Sequence, residues 1–360
     1  MKFLFVGSSA AHGGAEVHFV ALARALRGEG HEVAAMVDPD SFIATELASS
    51  GVALYPRGFR NAIDPKALSM LVKAIRASGP DVLVSNFGKD YWAVTLAGWL
   101  FNVRVTLFRH RVKAMDRASR SWLPKLCDGY FADSDFARRL YQRQGVAEHR
   151  IQVLNNPVDL QRFRFDPEAR RDIRQAHGIA PDAVVVGFCG RLVRSKGIHV
   201  LREAVDAAMA REPRLHCLWV GEGADAADLR AAIASGGYAP RHHFAGEVVD
   251  ASAYYSAFSL LAAPSIVAGT SGRACIEAQA CGVPVIGSDL GGIPETLWAG
   301  RSGVLVAAAD VAAWTRAILL LCDDQRRAVM ASNARPFVSH RFSKPIIARQ
   351  LVGFLRGFER

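Results

Sequence analysis

The sequence predicts an α/β protein of two doubly wound domains in tandem, each a parallel sheet with helices on both faces. Short apolar stretches alternate with helical periodicity, which is the signature of βαβ units whose strands are buried on both sides. The alternation runs through twice. A chain of 360 residues suits about two domains, and 51% hydrophobic with 22% charged residues is far from a disordered composition.

In the first half KFLFVG reads as a strand and residues 15–29 as a helix. HEVAAMV, VALYPR, DVLVSN and RVTLFRH follow as strands, separated by helices over residues 41–50, 65–78 and 92–100. DGYFADS and IQVLNN close this half. A linker with one helix leads into the second series, through VVVGFCGR, LHCLWVGEG, HHFAGE, LLAAPS, PVIGSD and SGVLV. The intervening helices cover residues 197–211, 226–235, 251–258 and 275–281, and two helices end the chain. The domains expected are 1–160, 161–340, and a C-terminal helix over 341–360 that packs back on the first domain. Such sheets bind ligands beyond the carboxyl ends of their strands, so two of them imply a site in the cleft between domains.

The apolar run WAVTLAGWLF is too short to cross a bilayer, and the N-terminus lacks the long apolar core of a signal peptide. Six scattered cysteines without metal-ligand spacing read as small buried residues of a reducing compartment. The net charge of +10 favours anionic partners. Between Arg104 and Lys125, Arg109, Arg111, Lys113, Arg117 and Arg120 face a single acid, Asp116, with Met115, Trp122 and Leu123 interleaved. This reads equally as a solvated helix face or as a basic amphipathic patch for anionic lipid. No nucleic-acid-binding module is present, so nucleic acid is not expected as a partner.

Three loops carry chemistry. GSSAAHGGAE, residues 7–16, places Gly13 and Gly14 where a phosphate or sugar could approach backbone N–H groups at a helix start; alternatively it is a tight turn needing small residues. GRLVRSKG, residues 190–197, sets Arg191 and Lys196 around a strand-to-helix turn that opens with Gly190, two cations beside a helix N-terminus, as a diphosphate clamp requires. It is neither GxGxxG nor GxxxxGK[ST]. In PSIVAGTSGRACIEAQACGVPV, Glu277 lies in the first turns of a helix behind Gly269 and Gly272. A carboxylate there can take both ribose hydroxyls, although on its own it could equally complement the helix dipole. The Asp-x-Asp in ADSD, residues 132–135, reads as polar loop and helix cap, and no metal is expected.

Taken in order, GGAE, the strand-GR-x4-KG-helix stretch and PS…G…E-A-x-A-C-G-x-P-V-I-x-S-D-x-G-G-x-P-E resemble the family-4 retaining glycosyltransferases of the GT-B fold. VLNNPVDLQRF and FAGEVVDASAYYSAFSLLAAPS extend the resemblance over nearly the whole chain. The resemblance implies two Rossmann-like domains. It implies that Arg191 and Lys196 hold a donor diphosphate, that Glu277 binds the ribose, and that backbone N–H groups of Thr270, Ser271, Gly272 and Arg273 touch donor sugar and phosphate. It puts Gly13 and Gly14 beside the β-phosphate, and His110, after the strand RVTLFRH, by the sugar. The family's first glutamate, eight positions before the second, is missing. Counting back from Glu277 reaches Gly269, and anchoring on PS reaches Ala268. Donor-sugar selection is therefore open, and the hydroxyls of Thr270 or Ser271 stand where that contact was.

The function expected is transfer of a sugar, with retention, from a nucleotide sugar to a glycan or glycolipid of the cell envelope, such as a lipopolysaccharide core or lipid-linked saccharide. The donor is expected to be UDP-linked, with no cofactor and no metal. The protein is expected in the cytoplasm, peripheral at the inner face of the plasma membrane. The alternatives are a sugar-nucleotide epimerase of the same fold, and a degenerate sugar-nucleotide-binding protein.

Overall fold

The computed structural model describes residues 1–11, 13–61 and 63–357. It divides into two compact units, one of Met1–Pro157 with the chain from Phe342 onward, the other Val158–Arg341.

The first unit runs β1 (Lys2–Gly7), α1 (Gly14–Gly28), β2 (Glu32–Val37), α2 (Phe42–Ala48), β3 (Ala53–Pro56), α3 (Pro65–Ser78), β4 (Val82–Ser85), α4 (Tyr91–Phe101), β5 (Arg104–Arg109), α5 (Arg117–Leu126), β6 (Gly129–Ala132), α6 (Asp135–Arg143) and β7 (Gln152–Val153). Its seven strands are ordered β3-β2-β1-β4-β5-β6-β7. The pairings are parallel, with Val6 opposite Met36 on one side and Ser85 on the other. Chain order reverses between β1 and β4, which makes the carboxyl ends of those strands the topological switch point.

The second unit runs α7 (Pro167–Ala176), β8 (Val184–Cys189), α8 (Ile198–Met209), β9 (Leu215–Val220), α9 (Ala226–Ala234), β10 (His242–Gly246), α10 (Ser252–Ala257), β11 (Leu260–Ala263), α11 (Arg273–Ala280), β12 (Val285–Ser288), β13 (Gly303–Val306) and α12 (Val311–Cys322). Its order, β10-β9-β8-β11-β12-β13, puts the switch point between β8 and β11. The buried Arg174 ties α7 to this unit through the carbonyls of Ala257 at 3.0 Å and Pro181 and Ala183 at 2.9 Å.

Three helices, not two, end the described chain: α12, α13 (Asp324–Phe342) and α14 (Lys344–Arg356). Asp323, extended at φ −66°, ψ 118°, breaks α12 from α13, and Ser343 breaks α13 from α14 just before Pro345. The last helix lays Ile347, Leu351 and Leu355 into the same core as Phe3, Phe5 and Phe131 of the first unit. All six cysteines are free thiols. Burial pushes Cys189 up to about 12, well above the usual thiol range, so it is not a nucleophile near neutral pH.

Candidate functional site

In the second unit the loops after β8, β9 and β11 press together at the switch point. Gly197 has φ 70°, and a Cβ there would lie 1.8 Å from the carbonyl of Pro264. Only glycine fits both the left-handed conformation and the close approach. The N–H of Ile266 donates to Ser195 O at 3.1 Å, closing the same junction. The Leu192 amide donates to Glu222 O at 2.9 Å, tying the loop to the end of β9. Lys196 is thereby fixed half-buried, while Arg191 is exposed. Burial first, and the Arg191 charge second, lower the Lys196 ammonium below its ordinary value. Two cations held near each other at the end of a strand form a natural seat for a di-anion.

The loop before α11 is shaped from the other side. Cβ atoms at Gly291 and Gly292 would come within 2.6 Å of Gly269 O and 2.1 Å of Thr270 O. The Gly292 amide donates to Gly269 O at 3.0 Å. This glycine pair lets residues 269–272 lie flat on the β12 loop, with Thr270 buried. Gly272 then starts α11; a Cβ there would be 2.9 Å from Thr296 Oγ1.

Glu277 is the fifth residue of α11, one turn beyond where it could complement the helix dipole. Its carboxylate is held by side chains: Arg273 Nε donates to Oε1 at 2.7 Å and Tyr255 OH to Oε2 at 2.8 Å. Each carboxylate oxygen keeps a further lone pair, enough for two neighbouring hydroxyls. Among the described residues Arg273 Nη1 is buried with no hydrogen-bond partner, a donor suited to a bound oxyanion. Sequence reasoning offered Arg273 only for its backbone N–H and passed over Tyr255. The spacing Arg273-x3-Glu277 was the readable signal, since residues four apart share a helix face.

The first unit carries Gly13, Gly14 and His110. Gly13 is extended, at φ −152° and ψ −173°, and starts α1; a Cβ on it would lie 3.0 Å from Glu16 Oε2. Among the described residues, a Cβ on Gly14 would meet nothing within 4 Å. His12, between these glycines and the strand, lies outside the described residues. Ser8 opens the loop: its N–H donates to Asp90 Oδ2 at 3.0 Å, and its hydroxyl accepts from the Phe59 amide at 2.6 Å. Burial raises the Asp90 carboxyl to about 7.

His110 directly follows β5. Its Nδ1 is 3.5 Å from Asp133 Oδ2, and its Nε2 is 3.4 Å from Asn86 Nδ2. Asn86 also reaches His18 Nδ1 at 2.9 Å, and the two imidazole rings lie 4.5 Å apart. Asn86, His110 and Asp133 each follow a strand end, so the parallel register of β4, β5 and β6 brings them together. The sequence reading found His110 but not Asn86 or His18, and it took Asp133, within ADSD, only as polar loop and helix cap. In ADSD the two carboxylates part: Asp133 turns to His110, Asp135 pairs with Arg138 at 2.9 Å, and Ser134 caps α6 by accepting from the Ala137 amide at 3.1 Å. The predicted site residues thus form two groups, Gly13, Gly14 and His110 in one unit, and Gly190, Arg191, Lys196, Thr270, Ser271, Gly272, Arg273 and Glu277 in the other.

Comparison with known proteins covers both units. The family model described as Glycosyltransferase Family 4 matches residues 12–162, and that described as Glycosyl transferases group 1 matches residues 183–324. A D-inositol 3-phosphate glycosyltransferase of Corynebacterium urealyticum is 34% identical over 231 residues, covering 59% of this chain and 53% of that protein. A GDP-mannose-dependent alpha-(1-6)-phosphatidylinositol monomannoside mannosyltransferase of Mycobacterium tuberculosis is 31% identical over 252 residues, covering 66% of this chain and 65% of that one. The chain thus spans about half to two thirds of the length of these curated relatives. Among solved structures, the Anabaena HepE protein in complex with UDP superposes with a TM-score of 0.86 at 22% identity, over 99% of this chain and 100% of that one. At that identity the likeness speaks for the fold alone. With one family model on each half and the same two-sheet architecture, the chain belongs to the family-4 glycosyltransferases of the GT-B fold.

Proposed function

We propose that the protein is a retaining glycosyltransferase that moves a sugar from a nucleotide-sugar donor to a glycan or glycolipid acceptor of the cell envelope. The observation that carries this reading is the grouping at the β8/β11 switch point of Arg191 and Lys196 with a carboxylate, Glu277, held by Arg273 and Tyr255. In this reading the two cations offset charge on the diphosphate as the glycosidic bond loosens, and Glu277 takes the ribose hydroxyls. His110, oriented by Asp133 and Asn86, contacts the sugar, and the acceptor hydroxyl attacks from the face the diphosphate leaves. That leaving phosphate accepts the proton of the attacking hydroxyl, which balances the step.

A UDP-linked donor is in keeping with HepE, solved with UDP; the mycobacterial relative is named for GDP-mannose. A lipid-linked acceptor is in keeping with that relative's name, and a lipopolysaccharide core is a second acceptor of the same chemistry. The basic segment around α5 supports work at an anionic membrane surface, as a peripheral protein of the cytoplasmic face.

The test is a screen of UDP- and GDP-sugars against envelope glycolipid extracts, reading nucleoside diphosphate release and product configuration. One donor should release its diphosphate in an acceptor-dependent way and give a product of retained configuration. Inversion, or binding with no turnover on any pair, contradicts the proposal, and the latter outcome leaves a sugar-nucleotide-binding protein.

A further inference from the structure

The outer face of α4 is apolar where a soluble surface helix should be polar. Gly98 presses this helix onto the sheet: a Cβ there would lie 2.1 Å from Val105 Cγ2 and 2.9 Å from Val103 O. Tyr91, Ala93, Val94 and Ala97 fill the inner face. Trp92, Leu96, Trp99 and Leu100, at helical spacing on the opposite face, are left outward, with Leu96 54%, Trp99 77% and Leu100 63% exposed. Trp92 Nε1 donates to Ser119 Oγ at 2.9 Å, which joins α4 to α5. Residues 119, 122 and 126 share one face of α5, so Trp122 and Leu126, 55% and 52% exposed, border the same seam. Six large apolar side chains on two joined helices form a patch of the kind that marks an interaction site.

The charge around it selects the occupant. Arg111, Lys113, Arg117 and Lys125 are exposed and Arg120 half-buried, and Lys125 Nζ sits 5.5 Å from the centre of the Trp122 ring. Two members of the basic segment do not contribute. Arg109 is buried and donates to Lys113 O, and the Arg104 guanidinium donates to Leu355 O at 2.6 Å. A second copy of this chain would bring each basic fringe against its twin, and like charges oppose that pairing. An anionic bilayer satisfies both parts, taking the apolar ridge between acyl chains and the cations among headgroups. With 11 residues, α4 is about 16 Å long, half the thickness of a hydrocarbon core, so it lies along the interface. Among the described residues no helix is long and apolar enough to cross a membrane.

We propose that the α4–α5 face is a membrane-docking surface, with Leu96, Trp99 and Leu100 as the inserting ridge and Lys113, Arg117, Arg120 and Lys125 as the headgroup contacts. This deepens the membrane part of the proposed function but stands on its own geometry, and its test needs neither donor nor acceptor.

The experiment is co-sedimentation of the full chain with vesicles of equimolar phosphatidylglycerol and phosphatidylcholine, and with phosphatidylcholine alone, with tryptophan emission recorded in parallel. Wild-type protein should bind the anionic vesicles, release with salt, and shift its emission to the blue. Trp99→Ser with Leu100→Ser should weaken binding at least tenfold at unchanged melting temperature, and Arg117→Ser with Lys125→Ser should weaken it mainly at low salt. Val249→Ser, at an exposed apolar position of the second unit, should change nothing. No vesicle binding, or binding undiminished in Trp99→Ser/Leu100→Ser, overturns the proposal. A wild-type dimer dispersed by those substitutions assigns the face to a second copy and also overturns it. Vesicle binding without sugar transfer, or transfer without vesicle binding, separates this inference from the enzymatic one.

Discussion

At the scale of single residues, the diphosphate clamp makes the sharpest claim. Arg191→Ala and Lys196→Ala should each lower turnover at least ~10²-fold, the size expected for losing a charged contact made to a departing group. Near-normal turnover in both, measured on the donor found by screening, removes the assignment. Asp90 carries a second prediction. Its carboxyl titrates near 7 in the folded protein because it is buried, whereas the unfolded chain ionises it in the usual carboxylate range. The stability it contributes is complete below that range and is lost as pH rises through 7. Asp90→Asn should therefore flatten the fall of melting temperature between pH 5 and pH 8, and an unchanged slope would reject the linkage. Glu277 was legible as a singular carboxylate, but its two holders were not equally so. Arg273 shows itself by spacing; Tyr255 lies on another helix, and only the fold places it.

At the scale of elements, most strands and helices were legible because buried parallel strands read as short apolar runs between helical periods. The 65–78 helix is written twice, by Asp64 as its cap and by Gly79 at φ 52° as its stop. What escaped was of three kinds. α5 was read only as one of two alternatives, a solvated helix face, and no helix was placed over α6; both are rich in charged residues and bury few apolar positions. The join of α12 to α13 is a single extended residue, too brief to interrupt helical periodicity. The outward apolar face of α4 was hidden because WAVTLAGWLF is apolar all round, and only Gly98 against β5 decides which side is buried. Edge strand β10 supplies a test at this scale. His243 Nε2 and His216 Nδ1 lie 3.0 Å apart on neighbouring strands. Burial, then the neighbouring histidines, lower His243 to about 4. A depressed histidine contributes stability above the unfolded value near 6.5 that is lost as pH falls toward 4. His243→Gln should reduce the acid-side loss of melting temperature over that interval; a slope equal to wild type would contradict it.

At the scale of the whole molecule, each sheet reverses its strand order once, and the residues singled out from the sequence gather beside those reversals. The glycines of the second unit explain the KG and GG of the motif: they let backbone lie on backbone at the switch point, and a Cβ would part the loops. That steric reason is invisible in a sequence, where a glycine says only that something is close. The C-terminal helix is likewise structural. Ending the chain before Lys344 uncovers Phe3, Phe5 and Phe131, and should lower the melting temperature of the first unit by several degrees, resolved by calorimetry against the intact chain. Titration calorimetry with UDP and GDP asks whether the β8/β11 switch point seats a nucleoside diphosphate. One of them should bind saturably, weakened at least tenfold by Glu277→Ala through the ribose and by Lys196→Ala through the phosphates. Absence of binding to either nucleotide, or equal affinity in wild type and both variants, would contradict it.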